Sequence, residues 1–222
     1  MNLLIVALLA TALIALQTVI GGAKLVYGLP VYLLVGLAGV ASIFARRTGG
    51  ATRLNWPCVV ITVLFAGYIL VRASMSPVEH LARTDFFMTI GTLVVYLIVS
   101  TRLTQARDRV MVLWALLIFA LLHVLGGAIQ FKQGDNSMLL PWIFRPDYGR
   151  RASGFYICPN HLAGLLEMLA LLGLSLVIWG RTKMSTRVIL GYLVGMCLAG
   201  VAITGSRGGY LSTVGGLAVF TG

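Results

Sequence analysis

Charged residues are scarce in this sequence. They make up 10% of its 222 residues, whereas a soluble globular domain has roughly 25%. Only 6 residues are acidic against 17 basic ones, and 59% are hydrophobic, with a mean hydropathy of +0.96. The chain therefore lacks the polar side chains that a water-soluble surface needs. We predict an integral membrane protein, with the lipid bilayer as its expected partner.

Cysteine and histidine are also rare, with three of each. Cys58, Cys158 and Cys197 are far apart in the sequence, which excludes a disulfide framework and zinc-finger spacing. We interpret them as small packing residues and expect no metal and no cofactor. The first residues lack the basic leader of a secretory signal peptide, so we predict that the first apolar run is retained as a membrane span.

Long apolar runs predict an all-α, polytopic transmembrane helix bundle, because a helix of about 20 apolar residues crosses a bilayer. We expect seven complete spans, near 3–22, 26–45, 56–73, 86–101, 110–128, 159–180 and 188–205, and a truncated eighth from about 207. We divide the chain into a five-span bundle (1–128), an outer loop (129–158) and a second membrane region (159–222). The sequence is expected to be the front part of a longer protein.

The net charge of +11 could indicate nucleic-acid binding. The basic residues instead form short clusters between the apolar runs, as orientation signals do, so we expect no nucleic-acid partner. The inner loops would hold Arg46, Arg47, Arg53, Arg102, Arg107, Arg109, Arg181, Lys183 and Arg187. The outer loops would hold Lys24, Arg72, Arg83, Lys132, Arg145, Arg150, Arg151 and Arg207, diluted by four acids. This distribution favours a cytoplasmic N-terminus and leaves arginines on the outer face.

Two short polar segments interrupt the hydrophobic background. The first motif is Arg151–Ala163, and the second motif is Thr204–Tyr210. Pro159 suits the first turn of a helix, with Cys158 or Asn160 nearby to finish its cap, and Ser206 can cap the next helix. Helix starts, arginine and the close approach that Gly208 and Gly209 permit all favour phosphate. The two motifs therefore predict a pyrophosphate site, although Arg207 could instead extend to the membrane interface.

For some other polar residues the sequence leaves more than one role possible. Glu167 lies two helical turns beyond Asn160 and could pair with Arg207 or orient a substrate hydroxyl. We interpret His161 as a helix-start residue rather than a base, and His123 as a packed residue. Trp142 and Arg145 in the outer loop could bind sugars or head groups, or anchor the loop at the interface.

The first motif, with its Gly-Phe-x-x-x-Pro-Asn-x-Leu-Ala core, resembles a signature of the O-antigen ligase/O-antigen polymerase superfamily, which includes bacterial protein O-oligosaccharyltransferases. The second motif, Thr-Gly-Ser-Arg-Gly-Gly, resembles that superfamily's second signature. The resemblance covers about residues 145–222. It implies a glycosyltransferase of lipopolysaccharide biosynthesis or a related pathway in the bacterial inner membrane.

The resemblance further implies that a glycan moves from undecaprenyl pyrophosphate to lipid A core, another glycan or a protein, at the periplasmic face and without metal. It assigns Arg207 and Arg151 to the leaving pyrophosphate. Arg150, Asn160, Ser206, Gly208 and Glu167 are then the expected substrate-binding residues. Family members carry further spans and a late periplasmic loop with a functional histidine, so residues 1–222 alone are expected to be inactive.

A transporter or flippase of a lipid-linked or anionic substrate is the alternative, because it would also need arginines beside a membrane cavity. Transporters frequently contain internal repeats, and the two halves of this sequence show no convincing repeat.

Overall fold

A computed structural model describes residues 2–22, 24–45, 56–137, 140, 143–144 and 146–221. Within these ranges the protein is all-helical, without β-strands, which confirms the predicted fold class. The helices are α1 (Asn2–Thr18), α2 (Leu25–Phe44), α3 (Trp56–Ser74), α4 (Glu79–Thr101), α5 (Ala106–Gln133), α6 (Pro159–Trp179), α7 (Met184–Thr204) and α8 (Arg207–Thr221).

Six of the described helices, α2 to α7, are long and apolar enough to cross a membrane. The protein therefore has the helices of a multi-pass membrane protein. The remaining two helices are shorter, since α1 has 17 residues and α8 has 15. The expected count of seven complete spans and a truncated eighth depends on these two and stays a prediction.

The ends of several helices differ from the predicted spans. The first span was expected to reach Gly22, but α1 ends at Thr18, and Ile20, Gly21 and Gly22 have φ angles of 53°, 67° and 71°. A helix cannot continue through such left-handed residues. In contrast, α4 and α5 extend beyond their apolar centres into polar turns, and the first turn of α4 includes Glu79. A search for apolar runs does not detect such polar turns.

The chain divides into two compact units. The first unit comprises Met1–Leu16 and Gly22–Val112, and the second comprises Gln17–Gly21 and Leu113–Gly222. In the first unit, the apolar core brings together side chains from α1, α2, α4 and the residues that follow α4. Fully buried examples are Ile5, Leu9, Ala38, Ile98 and Leu103.

In the second unit, α6 and α7 pack closely and antiparallel around a core that includes Leu117, Leu166 and Leu190. Glycines make this close packing possible. A Cβ atom on Gly200 would lie 2.6 Å from Leu166 Cδ1, so no larger residue fits there without a shift. Because α6 and α7 are antiparallel and joined by a short connection, the start of α6, the end of α7 and the start of α8 lie at one end of this unit.

Candidate anion site at one end of the second unit

The two motifs meet at the end of the second unit where α6 and α8 begin. The backbone N–H of Ala152 donates a hydrogen bond to the carbonyl of Ile203 at 3.1 Å. The first motif thus runs alongside the last turn of α7, and the second motif continues from that turn into α8. Both motifs therefore introduce helices at the same end of this unit, and the assignment of that end to the outer face stays a prediction.

Arg151 connects the two motifs directly. Its Nε atom donates to the carbonyl oxygen of Thr204 at 3.0 Å, and its Nη2 atom donates to Asn160 Oδ1 at 2.9 Å. Gly205 ends α7 with a φ of 61°, and a Cβ there would lie 3.4 Å from Arg151 Nε. The guanidinium therefore lies against the α7–α8 turn and the first turn of α6 at once.

Arg150 has different surroundings from its neighbour. Its Nε atom donates to the carbonyl of Phe131 at 3.1 Å, and its guanidinium carbon lies 4.7 Å from the centre of the Phe131 ring. This stacking holds the arginine against the end of α5. The structure thus brings Arg151, and not Arg150, into contact with the second motif.

Arg207 is the first residue of α8 and is exposed. Its guanidinium makes no hydrogen bond or ion pair with any residue that the structure describes. The backbone N–H groups of Arg207 and Gly208, in the first turn of α8, likewise have no acceptor among the described residues. The start of α8 therefore presents a positive side chain together with unpaired N–H groups, which is the combination that favours an anion.

Ser206 caps α8 as expected. Its Oγ atom accepts a hydrogen bond from the N–H of Gly209 at 3.1 Å. The two glycines of this turn differ: a Cβ on Gly209 would lie 2.7 Å from Ala163 Cβ, whereas one on Gly208 would meet nothing within 4 Å. Gly209 is thus needed for packing of α8 on α6, and Gly208 borders open space.

The start of α6 is capped differently from the expectation. Pro159 occupies the first turn as predicted, but the N-cap residue Cys158 makes no side-chain capping bond. The side-chain oxygen of Asn160 is used by Arg151. Asn160 therefore acts as an acceptor for the arginine rather than as a cap of its own helix.

Glu167 contacts α8 through hydroxyl groups. Ser212 Oγ donates a hydrogen bond to Glu167 Oε2, and Thr213 Oγ1 lies 3.5 Å from the same oxygen. Within the described residues Glu167 makes no ion pair with Arg207, so the suggested pairing of these two side chains is wrong. The partners of Glu167 lie more than one turn further along α8, because Ser212 is five residues beyond Arg207.

A buried polar network behind the first motif was not foreseen from the sequence. Gln130 Oε1 accepts from the N–H groups of Ser153 and Gly154 at 3.0 and 2.9 Å, and its Nε2 donates to the carbonyl of Gly154 at 3.1 Å. Asn136 Nδ2 donates to Ser153 Oγ at 3.0 Å. Gln130, Asn136 and Ser153 are at most 2% exposed, so the network fixes the first motif to α5.

His123 lies beside this network and is fully buried, as expected for a packed residue. The N–H of Phe155 donates to its Nδ1 at 3.3 Å, and the rings of Phe119, Phe155 and Tyr156 surround it with centre-to-centre distances of 5.1 to 5.3 Å. Burial raises the pKa of the Tyr156 phenol to about 12. The hydrogen bond to His123 and the packing of these rings hold the backbone of the first motif against α5.

The remaining predicted residues are His161, Trp142 and Arg145. His161 is exposed on the first turn of α6, with its ring 6.4 Å from that of Tyr156. Trp142 and Arg145, the suggested sugar or head-group contacts, lie outside the described residues. Asp147 of the same loop accepts a hydrogen bond from the N–H of Gly149 at 2.7 Å.

Comparisons with protein-family models, curated proteins and solved structures find no match for this chain. The likeness to the O-antigen ligase superfamily therefore rests on the residues of the two motifs.

Proposed function

We propose that this protein is a membrane glycosyltransferase of the O-antigen ligase/polymerase type, which moves a glycan from undecaprenyl pyrophosphate to an acceptor. The observation that supports the proposal is the double contact of Arg151 with Thr204 and Asn160. Thr204 lies three residues before Arg207, so this contact holds Arg151 against the turn that leads to the start of α8. Two guanidinium groups and two helix starts at one end of a unit suit a pyrophosphate.

The proposed orientation has the N-terminus in the cytoplasm of a bacterial cell, with seven inner-membrane spans and an eighth that begins at Arg207. The anion site then faces the periplasm. Arg181 and Lys183, at the opposite end of α6 and α7, face the cytoplasm. This orientation places the site where lipid-linked glycans are assembled into surface polymers.

In the proposed complex, Arg207 and the free N–H groups of Arg207 and Gly208 bind the pyrophosphate. Arg151 and the amide nitrogen of Asn160 assist from the start of α6. Each charge-assisted hydrogen bond of this kind contributes roughly 1.5–3 kcal/mol. Neither arginine is ion-paired to a carboxylate among the described residues, so no internal acid has to be displaced.

The proposed reaction is a substitution at the anomeric carbon of the donor sugar. An acceptor hydroxyl oxygen forms a bond to that carbon, and the bond between the carbon and the pyrophosphate oxygen breaks. The bonding electrons leave with undecaprenyl pyrophosphate, and the acceptor's proton passes to water. Arg207 and Arg151 stabilise the negative charge that develops on the leaving group, and this lowers the barrier. The acceptor is lipid A core, another glycan or a protein hydroxyl.

Glu167 has a separate part in the proposal. Its Oε2 atom is engaged by hydroxyl groups of α8, whereas Oε1 accepts no hydrogen bond from the described residues. We assign Oε1 to a hydroxyl of the bound substrate. Arg150 contributes only through the position of the adjacent Arg151, because its own guanidinium is held on Phe131.

The proposal is tested by the change Arg207→Ala in the full-length protein, in membranes that contain a lipid-linked glycan. We expect the release of undecaprenyl pyrophosphate to fall by about a hundredfold or more, because a donor to the leaving group is lost. The protein should still insert into the membrane, because the change removes only one exposed side chain. The matched control is Arg181→Ala at the other end of the unit, which should release the carrier at the wild-type rate.

Normal release by Arg207→Ala would contradict the proposal, as would an equal loss in Arg181→Ala. The same assay separates the alternative function. A transporter or flippase would move the lipid-linked glycan across the membrane while the sugar–phosphate bond stays intact, so translocated but uncleaved carrier would favour that function.

A further inference from the structure

The first unit contains an open groove between α3 and α4 that the proposed function does not use. A cavity of about 380 Å³ is lined by Phe65, Leu93 and Tyr96 among other largely apolar residues. It shares Ile69, Met88 and Thr89 with a second cavity of about 330 Å³. The two cavities therefore form one continuous groove along the helix pair.

The groove changes character along its length. Its far part is apolar, whereas the second cavity is lined by Arg72, Ser76 and Asp85 near the α3–α4 turn. From Thr62 to Arg72 the helix rises by about 15 Å, at 1.5 Å per residue. Half of a hydrocarbon core of about 30 Å has the same depth. The groove thus has the length of a lipid chain in one leaflet and a polar end at head-group level.

The polar end holds two unpaired opposite charges. Arg72 donates to the Tyr68 hydroxyl at 3.1 Å and makes no ion pair among the described residues. The Asp85 carboxylate, which lines the same cavity, likewise has no partner in the described chain. The adjacent Arg83 and Glu79 are already paired with each other. One cation and one anion therefore remain available to a ligand.

We propose that the α3–α4 groove binds a zwitterionic phospholipid with a primary ammonium head group, such as phosphatidylethanolamine. The phosphate pairs with Arg72, the ammonium pairs with Asp85, and one acyl chain lies along Phe65, Leu93 and Tyr96. A purely anionic lipid satisfies Arg72 but has no cation to pair with Asp85. A choline head group carries the positive charge but has no N–H to donate to the carboxylate. This proposal is independent of the proposed glycosyl transfer.

The test measures lipid retention by the purified full chain. The protein is exchanged into micelles that contain equal amounts of phosphatidylethanolamine and phosphatidylglycerol, washed with detergent, and analysed for retained lipid by mass spectrometry. We expect the wild type to retain phosphatidylethanolamine preferentially. Arg72→Ala should retain about fivefold less of it. Asp85→Asn should retain both lipids equally, because only the ammonium contact is lost.

Two further variants complete the design. Arg107→Ala removes an equal charge from an exposed residue in the first turn of α5, which does not line the groove, and it should leave retention unchanged. Thr92→Trp fills the apolar part of the groove and should lower the retention of both lipids. Gel filtration of each variant reports its fold and its oligomeric state, and Asp85→Asn carries the test if Arg72→Ala does not fold.

Three outcomes would overturn the proposal. The first is equal retention of the two lipids by the wild type. The second is a loss in Arg107→Ala as large as that in Arg72→Ala. The third is a wild-type dimer that Thr92→Trp converts to a monomer, which would identify a second copy of the chain as the occupant of the groove.

Discussion

Gly154, in the first motif, occupies a position that only glycine fits. Its φ angle is 54°, and a Cβ atom would lie 2.8 Å from His123 Nδ1 and 3.2 Å from the His123 carbonyl oxygen. Gly149 has a similar φ of 60°, but a Cβ there would meet nothing within 4 Å. Alanine substitutions at Gly149 and Gly154 therefore separate the effect of backbone conformation from that of crowding by neighbouring atoms.

The change Gly149→Ala should cost about 1–2 kcal/mol of stability, because an L-residue is strained in the left-handed region. Gly154→Ala should cost about 1–3 kcal/mol more, since it also forces His123 to move. Thermal unfolding in detergent measures both variants. Equal costs would mean that the contact with His123 does not constrain the first motif.

At the scale of an element, α5 anchors the first motif through Gln130. The change Gln130→Leu keeps a similar volume but leaves the N–H groups of Ser153 and Gly154 without their acceptor. Each buried group that loses its partner costs roughly 1–3 kcal/mol. We therefore expect a loss of several kcal/mol in stability, together with slower carrier release, because the segment that bears Arg151 is no longer fixed.

Gln133→Leu is the matched control for this experiment. Gln133 lies three residues further along α5, is exposed, and has no hydrogen bond to its side chain among the described residues. Its replacement should leave the unfolding temperature and carrier release near the wild-type values. A stable, fully active Gln130→Leu protein would show that the network does not position Arg151.

The elements themselves were largely predictable, because apolar runs report directly on helices in a membrane. The starts of α6 and α8 followed from Pro159 and Ser206, whose local chemistry acts within one turn. The end of α1 did not follow, since the left-handed Ile20 packs in a turn next to Tyr156, which is far away in sequence. Local signals thus located the helices, and distant contacts decided some of their ends.

The same distinction applies to the candidate site. The residue types that suit an anion were visible in the two motifs, but their mutual contacts were not. Nothing in the sequence separates Arg150 from Arg151, because the difference arises from the ring of Phe131 on one side and the carbonyl of Thr204 on the other. Gln130 and Asn136 read as ordinary polar residues until the fold buries them against Ser153.

For the whole molecule, the proposed site faces the periplasm only if the two ends of α6 and α7 face opposite sides of the membrane. Cys58, Cys158 and Cys197 form no disulfide and can be replaced to give a cysteine-free background. In intact cells, a membrane-impermeant thiol reagent should then modify Asp147→Cys but not Lys183→Cys. Modification of Lys183→Cys alone would reverse the proposed orientation and place the two motifs on the cytoplasmic side.

The central claim is that Arg151 and Arg207 hold one pyrophosphate together. Its most direct test is the affinity of the purified protein in nanodiscs for undecaprenyl pyrophosphate, measured for the wild type, Arg151→Ala, Arg207→Ala and the double variant. We predict that each single change weakens binding and that the two effects are coupled by about 0.5–3 kcal/mol, as expected for groups that share a ligand. Affinity unchanged by either substitution, or losses that simply add, would contradict the account.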